Sequence, residues 1–328
     1  MPRVGNKDGR NFGYGRQLSH AGPQALHELF GAGRYATVKT HAERWQMFVQ
    51  WCRSPAGPDI NDARLIDRPL LDNYAQYLRE QVGLGNLSIA TAQNRLSTVN
   101  RTLEALRGDR RVRVSSPSQA LDLYRNSVRQ AALPGQQRNQ VEGLVDALSQ
   151  QRLDRVAARL ARETGMRLRE TILGDLPRLQ REATKLGRIN ILDGTKGGRR
   201  GARVPRWVEP TPGVQDALRQ AAAVSPKGSR NLLSPEQSYV QLLQQQIRPA
   251  RALLRAHGLK GFHDLRAAYA CERYQQLTGH AAPVNGGRCL DRTLDRSARE
   301  QISHELGHNR VCVVAAYIGS LGRQGAKV

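Results

Sequence analysis

Three segments in the first third of the chain share one apolar pattern, in which hydrophobic side chains recur at alternating spacings of three and four residues. The segments are ATVKTHAERWQMFVQWCR, RPLLDNYAQYLRE and LSIATAQNRLSTVNRTLEAL. Their stripes comprise Val38, Ala42, Trp45, Val49 and Cys52 in the first, Leu71, Tyr74 and Leu78 in the second, and Ile89, Ala92, Leu96, Val99, Leu103 and Leu106 in the third. Because this spacing places every member on one helical face, the pattern predicts a bundle of helices that bury their stripes together.

The chain length of 328 residues is typical of two domains. The segment GDRRVRVSSPS, which follows the third stripe, is basic, polar and contains proline, so it indicates the start of an interdomain linker. The sequence therefore predicts four regions: a flexible basic arm over 1–19, a helical domain over 20–112, a linker over 113–135 and a second domain over 136–328.

The formal net charge of +23 and the isoelectric point near 11.0 favour nucleic acid as the partner. An enzyme of small substrates rarely carries so much self-repulsion. Both parts of the chain are basic, since residues 1–133 contain 19 Lys and Arg against 11 Asp and Glu, and residues 134–328 contain 32 against 17. Two basic halves are typical of a protein that encircles a duplex.

Cysteine usage and hydropathy indicate the compartment. The four cysteines, Cys52, Cys271, Cys289 and Cys312, are too dispersed for a C-x-x-C zinc site or a disulfide framework. No apolar run approaches the length that spans a membrane, and the first residues lack the apolar segment of a signal peptide. We therefore expect a cytoplasmic protein with reduced thiols and no membrane association.

The second half carries, in a fixed order, the residue types that can transfer a phosphodiester to a tyrosine. They are Arg167 in TGMRLRE, Lys196 in GTKGGRRG, His263 and Arg266 in HDLR, His308 in ELGH, and Tyr317 nine residues further on. Cleavage of DNA without a metal ion requires cations on the non-bridging oxygens, and the planar fork of arginine suits that role. A lysine or histidine can protonate the leaving oxygen, and a tyrosine can hold the phosphate covalently. We expect no cofactor and no metal.

The local patterns predict how these residues are placed. VAARLARETGMRLRETIL predicts one helix, on which Arg167 and Glu170 share a face and the carboxylate can hold a neighbouring cation. RINILD and ARVPRWV predict two short strands, and the hairpin between them carries Lys196 at its tip. HDLRAAYACERYQQL predicts a helix with His263 and Arg266 one turn apart, and VCVVAAYI predicts an apolar helix. The predicted fold class is mainly α with a small antiparallel β-sheet.

Jointly, the order and spacing of these motifs resemble the tyrosine recombinases, also called lambda-type integrases, and most of all those of proteobacterial prophages and integrative conjugative elements. The resemblance covers roughly residues 136–328 through motifs and 20–112 through helical pattern alone. It implies a C-shaped DNA clamp of two domains, in which a core-binding helical bundle and an α+β catalytic domain grip opposite faces of the duplex.

The resemblance also implies a role for each motif residue. Arg167 and Arg266 are similar to the two arginines that clamp the scissile phosphate, and Lys196 is similar to the hairpin lysine that protonates the departing 5′-oxygen. The other implied roles are His263 as general acid/base, His308 as a hydrogen-bond donor to the phosphate, Glu170 as the supporting acidic residue, and Tyr317 as the nucleophile that forms a 3′-phosphotyrosyl bond.

Two features depart from the family pattern, and one lysine offers an alternative. Val313 and Val314 stand where family members often carry a threonine, and residues 279–294 form an apparent insert between HDLR and ELGH. Lys185 lies in a TKLG string similar to that of Lys196, but it precedes the first predicted strand. None of these features removes a catalytic group.

The implied function is site-specific recombination that integrates or excises a mobile element. The implied partners are double-stranded DNA attachment sites, three further copies of the chain in a tetramer on DNA, and accessory DNA-bending and directionality proteins. The expected location is the bacterial cytoplasm, with association to the nucleoid when the protein is bound to DNA.

Three alternatives stay open at this point. A type IB topoisomerase uses a similar set of residues to nick and close one strand, although the helical first domain and the short hairpin resemble integrases more closely. A DNA-binding regulator with an inactive catalytic domain is a second alternative, although every catalytic group is retained. Residues 304–308 spell H-E-L-G-H, a zinc metalloprotease pattern, but Gly307 weakens the helix that this pattern requires.

Overall fold

The structure, a computed structural model, describes residues 8–132, 143, 152–195, 205–308 and 310–320. The chain divides into two compact units, Met1–Asn126 and Ser127–Val328. The described residues are predominantly helical and contain one small antiparallel sheet, so the predicted fold class is confirmed. None of the described helices combines the length and the apolar character that crossing a membrane requires.

The first unit is a helical bundle. Its α-helices in the described residues are α1 (Leu18–Phe30), α2 (Tyr35–Cys52), α3 (Arg68–Gly83), α4 (Ile89–Arg107) and α5 (Pro117–Leu121). Polar side chains cap the N-termini of α3 and α4. The Leu70 N–H donates to Asp67 Oδ1 at 2.9 Å, and the Thr91 N–H donates to Ser88 Oγ at 3.1 Å. Gly108 ends α4 in the left-handed conformation, with φ at 76°.

The core of the first unit consists of the predicted stripes together with aromatic rings. Trp45, Phe48 and Tyr74 are fully buried, and the Phe48 and Tyr74 ring centroids lie 4.9 Å apart in an edge-on arrangement. Val38 and Ala42, in the first turns of α2, are only partly buried. The α2 stripe therefore enters the core from Trp45 onward.

Residues that precede and follow the predicted bundle in sequence pack onto its helices. Asn11, within the predicted flexible arm, is buried: its N–H donates to Asp62 Oδ1 at 3.0 Å, and its side-chain oxygen accepts from the Ala63 N–H at 2.7 Å. Leu121 of α5, within the predicted linker, is buried in the same core. The compact unit thus includes residues outside the range 20–112.

The second unit is organised around one long buried helix. Its α-helices in the described residues are α6 (Arg152–Thr164), α7 (Leu168–Leu173), α8 (Leu176–Leu186), α9 (Pro212–Val224), α10 (Tyr239–Leu242), α11 (Arg248–Ala256), α12 (Phe262–Thr278), α13 (Arg292–Glu305) and α14 (Ala315–Ile318). A π-helical turn joins α10 to α11. Helix α12 packs against α6, α13 and α14 and buries most of its residues, which places its first turns deep in the unit.

The sheet of the second unit is the predicted strand pair. Strand β1 (Ile189–Asn190) pairs antiparallel with β2 (Trp207–Val208), and Ile189 lies opposite Val208. Both of these apolar residues are buried, so one face of the pair joins the core. The tip of the predicted hairpin, with Lys196, lies outside the described residues.

One predicted helix is broken in the structure. The segment 156–173 was expected to be continuous, but α6 ends at Thr164 and α7 begins at Leu168. Gly165 makes the break with φ at 65°, and a Cβ there would lie 2.6 Å from the Tyr269 ring. Only glycine fits this left-handed turn, because a side chain would meet both strain and a clash. The break has a functional consequence: it places Arg167 at the start of a helix rather than within one.

Candidate active site

Four separate elements bring the motif residues together. Arg167 is the N-cap residue of α7, and Arg266 lies in the second turn of α12, three residues after the motif histidine His263. His308 follows the turn that ends α13, and Tyr317 lies in the short helix α14. Residues far apart in sequence therefore meet at one place in the second unit, as the motif order predicts.

The hydroxyl of Tyr317 is held by two motif residues. It lies 2.8 Å from His308 Nε2 and accepts a hydrogen bond from Arg266 Nε at 3.3 Å. The tyrosine is 3% exposed, and the Arg266 guanidinium lies 5.5 Å from the centre of its ring. A buried phenol between an imidazole and a guanidinium is positioned for proton loss and for nucleophilic attack.

Arg266 is fully buried and uses every edge of its guanidinium. Its Nη1 donates to the Gly165 carbonyl, and its Nη2 donates to the Leu306 carbonyl at 2.5 Å and contacts His308 Nε2 at 3.2 Å. Burial and the neighbouring Arg206 charge lower the pKa of Arg266 to about 10, so it stays protonated at neutral pH. The result is a fixed positive charge beside the tyrosine oxygen.

Arg167 and Glu170 form the ion pair that their spacing predicts. Arg167 Nη1 donates to Glu170 Oε1 at 2.7 Å, and the Arg167 backbone N–H donates to Glu170 Oε2 at 2.7 Å. The Arg167 side chain is 27% exposed, whereas that of Glu170 is completely buried. The carboxylate therefore fixes one side of the guanidinium and leaves another side at the surface.

A third arginine, which the motif analysis did not single out, completes the cluster. Arg206 is buried, and its Nη1 donates to Glu170 Oε2 at 2.6 Å. Burial alone would raise the pKa of Glu170, but the charges of Arg206 and Arg167 and the backbone donor lower it below its ordinary value. One sequence signal was available: alternation along ARVPRWV places Arg206 on the same face as the buried Val208.

Both motif histidines are biased toward the neutral form. Burial and the charge of Arg266 lower the pKa of His308 to about 4. Desolvation and Arg266 likewise lower the pKa of His263, although this residue keeps an exposed edge. A neutral His308 whose Nε2 faces the arginine donor carries its proton on Nδ1, so Nε2 accepts from the Tyr317 hydroxyl.

The predicted site residues differ in how the structure places them. Hydrogen bonds join Arg167 to Glu170 and join Arg266, His308 and Tyr317 to one another. The His263 ring lies next to them, with its centroid 5.2 Å from that of Tyr317. Lys196 lies outside the described residues, and Lys185 is exposed in the last turn of α8.

The H-E-L-G-H pattern does not form the metalloprotease geometry. Helix α13 ends at Glu305, and Gly307 turns the chain with φ at 67°, so His304 and His308 do not share one helix. Glu305 instead accepts hydrogen bonds from the Tyr269 hydroxyl at 2.8 Å and from Arg273 at 3.0 Å. Across the described ranges, no three His, Cys, Asp or Glu side chains are grouped to hold a metal ion. The zinc-protease alternative therefore lacks the paired histidines that it requires.

Comparison with known proteins concerns the family and the fold. Residues 124–272 match the family described as "Integrase". A lambda integrase dimer bound to a core site has a similar structure, with a TM-score of 0.56, 16% identity, and coverage of 93% of this chain and 96% of that one. A lambda integrase tetramer bound to a Holliday junction gives a TM-score of 0.55 and 16% identity, and the match covers 93% of this chain and 78% of that one. The sequence matches no curated protein. At this identity, the structural likeness shows the fold.

Proposed function

We propose that the chain is a tyrosine recombinase, a site-specific DNA recombinase that cuts and rejoins DNA through a 3′-phosphotyrosyl bond, and the match of residues 124–272 to the integrase family supports this. The observation that carries the proposal is the environment of the Tyr317 hydroxyl, 2.8 Å from His308 Nε2 and 3.3 Å from Arg266 Nε. A tyrosine held between a proton acceptor and a fixed cation, with a second arginine at the surface nearby, suits attack on a phosphodiester.

The first chemical step follows from these contacts. The Tyr317 oxygen attacks the scissile phosphorus, and its proton passes to His308 Nε2 along the 2.8 Å hydrogen bond. The bond from phosphorus to the 5′-oxygen breaks, and Lys196 protonates that oxygen, as the family resemblance implies. The new tyrosyl ester conserves the energy of the broken bond, so rejoining needs no nucleotide cofactor.

The two motif arginines neutralise the charge that develops on the phosphate. Arg167 is partly exposed, and its Nη2 makes only a long contact of 3.5 Å to the Leu306 carbonyl, so it can turn to a phosphate oxygen. Arg266 is covered in this structure, and its Nη2 bonds the same carbonyl. For Arg266 to reach the phosphate, we propose that the segment from Leu306 to Tyr317 shifts when DNA binds.

After cleavage of one DNA strand, complete recombination requires the exchange of strands between two duplexes. Tyr317 lies with the arginines of its own chain, which supports cleavage in cis. We propose that both units bind one attachment-site duplex as a clamp, and that four chains exchange strands between two duplexes through a Holliday junction. Integration or excision of a mobile element, His263 as a second acid/base and accessory bending proteins are inferred from the family resemblance, as is a place on the bacterial nucleoid.

Nicking and closing by a type IB topoisomerase would use the same first step. The likeness to lambda integrase favours the recombinase, because it extends over 93% of this chain and so includes both compact units. A DNA-binding regulator without activity is disfavoured, because the hydrogen bonds around Tyr317 are intact.

The test traps the intermediate on DNA. Duplexes are first selected from a random library for binding to the full chain, and are then nicked at successive positions so that a short strand diffuses away after cleavage. We expect a covalent protein–DNA adduct, linked to a 3′-phosphate, that forms at an undiminished rate in excess EDTA, because arginines neutralise the phosphate. Absence of any adduct, linkage to a 5′-phosphate, or a strict requirement for a divalent ion would overturn the proposal.

A further inference from the structure

Arg206 is tied to three structural features of the site at once. Its Nη1 donates to Glu170 Oε2 at 2.6 Å, its Nη2 to the Gly165 carbonyl at 3.0 Å, and its Nε to the Glu305 carbonyl at 2.5 Å. The residue is 4% exposed. Because each nitrogen already donates to a protein acceptor, Arg206 has no free edge for a phosphate.

Two of the three acceptors of Arg206, Glu170 and the Gly165 carbonyl, are shared with the arginines assigned to the phosphate. Glu170 also holds Arg167 at 2.7 Å and lies 3.9 Å from Arg266 Nη1. The Gly165 carbonyl also accepts from Arg266 Nη1. Arg206 therefore donates to Glu170 and to the Gly165 carbonyl from the buried interior of the unit. Without it, the Glu170 carboxylate would be short of a donor, and Arg266 is near enough to move toward it.

Arg206 also lies at the end of the strand pair, directly beside β2. Its backbone carbonyl accepts from the Ile191 N–H at 3.1 Å, and its backbone N–H donates to Asn190 Oδ1 at 2.9 Å. The backbone of Arg206 thus bonds to the segment of β1, and its side chain bonds to the interior of the site. Gly307 makes room for this arrangement, because a Cβ there would lie 3.0 Å from Arg206 Cδ.

We infer that Arg206 is a positioning residue for strand cleavage: by donating to Glu170 and the Gly165 carbonyl, it keeps Arg167 and Arg266 from being drawn further toward these acceptors, so that both can reach the phosphate when DNA binds. It touches neither the substrate nor the reacting atoms. This inference rests on the proposed function, since the geometry that Arg206 maintains matters only if Arg167 and Arg266 bind a scissile phosphate.

The test measures adduct formation on the selected nicked duplex with Arg206→Met and a matched control. Arg162→Met is that control, because Arg162 is similarly buried in the same unit but pairs with Glu272 rather than with Glu170. Both variants remove the charge of a buried arginine that is paired with a glutamate, and thermal unfolding of each variant measures the stability that is lost. For Arg206→Met we expect about 100-fold slower cleavage of bound DNA, the scale of a misplaced catalytic group, with little change in DNA affinity. Arg162→Met should cleave at nearly the wild-type rate.

A second variant separates charge balance from packing and keeps the test decisive if Arg206→Met folds poorly. If Arg206 acts by saturating Glu170, then adding Glu170→Gln to Arg206→Met removes the unbalanced charge and should restore cleavage by about 10-fold, which is a non-additive result. Additive defects, or an Arg206→Met that cleaves like Arg162→Met, would overturn the inference. A wild-type chain that forms no adduct would instead overturn the proposed function, and this inference with it.

Discussion

At the scale of single residues, the protonation state of His308 determines what it can do for Tyr317. Burial and the charge of Arg266 lower the pKa of His308 to about 4, so the ring is neutral at pH 7 and its Nε2 accepts from the phenol. The family resemblance implies a donor to the phosphate at this position. The contact with Tyr317 adds a second role, because a neutral imidazole can receive the phenolic proton. A bound phosphate would offset the arginine charges and make His308 a stronger base.

The lowered pKa of His308 predicts how folding stability depends on pH. As pH falls from about 6.5 toward 4, an unfolded chain protonates His308 before the folded chain does, so the free energy of unfolding should fall. His308→Asn should flatten part of this decline in urea titrations across that range. His280→Asn, at an exposed histidine, should leave the slope unchanged. A His308→Asn slope identical to wild type would contradict the burial argument.

The motif residues could be singled out in the sequence because of their order and spacing, whereas Arg206 could not be separated from the many surface arginines. Strand alternation indicated that Arg206 faces inward, but its role depends on Glu170, which lies on α7 and meets Arg206 only after folding. Long-range partners of this kind leave no local pattern. For the same reason, no local pattern indicates that Arg266 donates to the Gly165 and Leu306 carbonyls and is covered.

At the scale of elements, the packing of α1 on α2 depends on a glycine. A Cβ on Gly22 would overlap the Trp45 indole, whose Nε1 donates to the Leu18 carbonyl at 2.8 Å. Gly22→Ala should therefore destabilise the first unit by about 1–3 kcal/mol, the usual cost of overpacking. Gly83→Ala is the control, because nothing lies near its Cβ position and a helical glycine gains about 0.5–1 kcal/mol on that change.

Urea unfolding followed by tryptophan fluorescence measures both variants, since two of the three tryptophans lie in this unit. Equal midpoints for the two variants would contradict the packing described for Trp45.

The proposed role of Lys196 predicts how cleavage depends on the leaving group. If Lys196 protonates the 5′-oxygen, Lys196→Ala should be largely rescued by a substrate with sulfur at that position, because a thiolate leaves without a proton. Lys185→Ala should cleave the ordinary substrate normally, since Lys185 is exposed on α8. Cleavage rates on the paired oxygen and sulfur substrates measure both. If Lys185→Ala is slow on oxygen and rescued by sulfur while Lys196→Ala is not, then Lys185 is the general acid.

Helix positions were predictable from apolar periodicity, but helix ends inside the site were not. The pattern over 156–173 continues through Gly165, but that residue is in the left-handed conformation, at a place where Tyr269 and Leu306 leave no room for a Cβ. A single glycine in a periodic segment is compatible with a continuous helix, so the pattern alone favoured one. The break matters because it turns Arg167 into the first residue of α7 and points its backbone N–H at Glu170.

At the scale of the whole molecule, positive charge lies in both units, and the proposed complex uses both on one duplex. DNA affinity should therefore fall steeply with salt, as counterion release requires. A fragment of residues 127–328 should bind the selected duplex more weakly and with a smaller slope of log K against log salt. Binding titrations at several salt concentrations, with circular dichroism to show that the fragment folds, measure both quantities. A fragment with the affinity and salt slope of the full chain would show that the first unit does not bind DNA.

The covalent role of Tyr317 is the central claim, and one substitution tests it most directly. Tyr317→Phe should bind the selected duplex as tightly as wild type and form no adduct, because the attacking oxygen is gone while the arginines remain. Tyr274→Phe, which removes a hydroxyl that donates to Asp295 rather than to a motif residue, should still form the adduct. Mass spectrometry of the wild-type adduct should find the nucleotide on the peptide that contains Tyr317. An adduct that persists in Tyr317→Phe, or one on any other residue, would contradict the account.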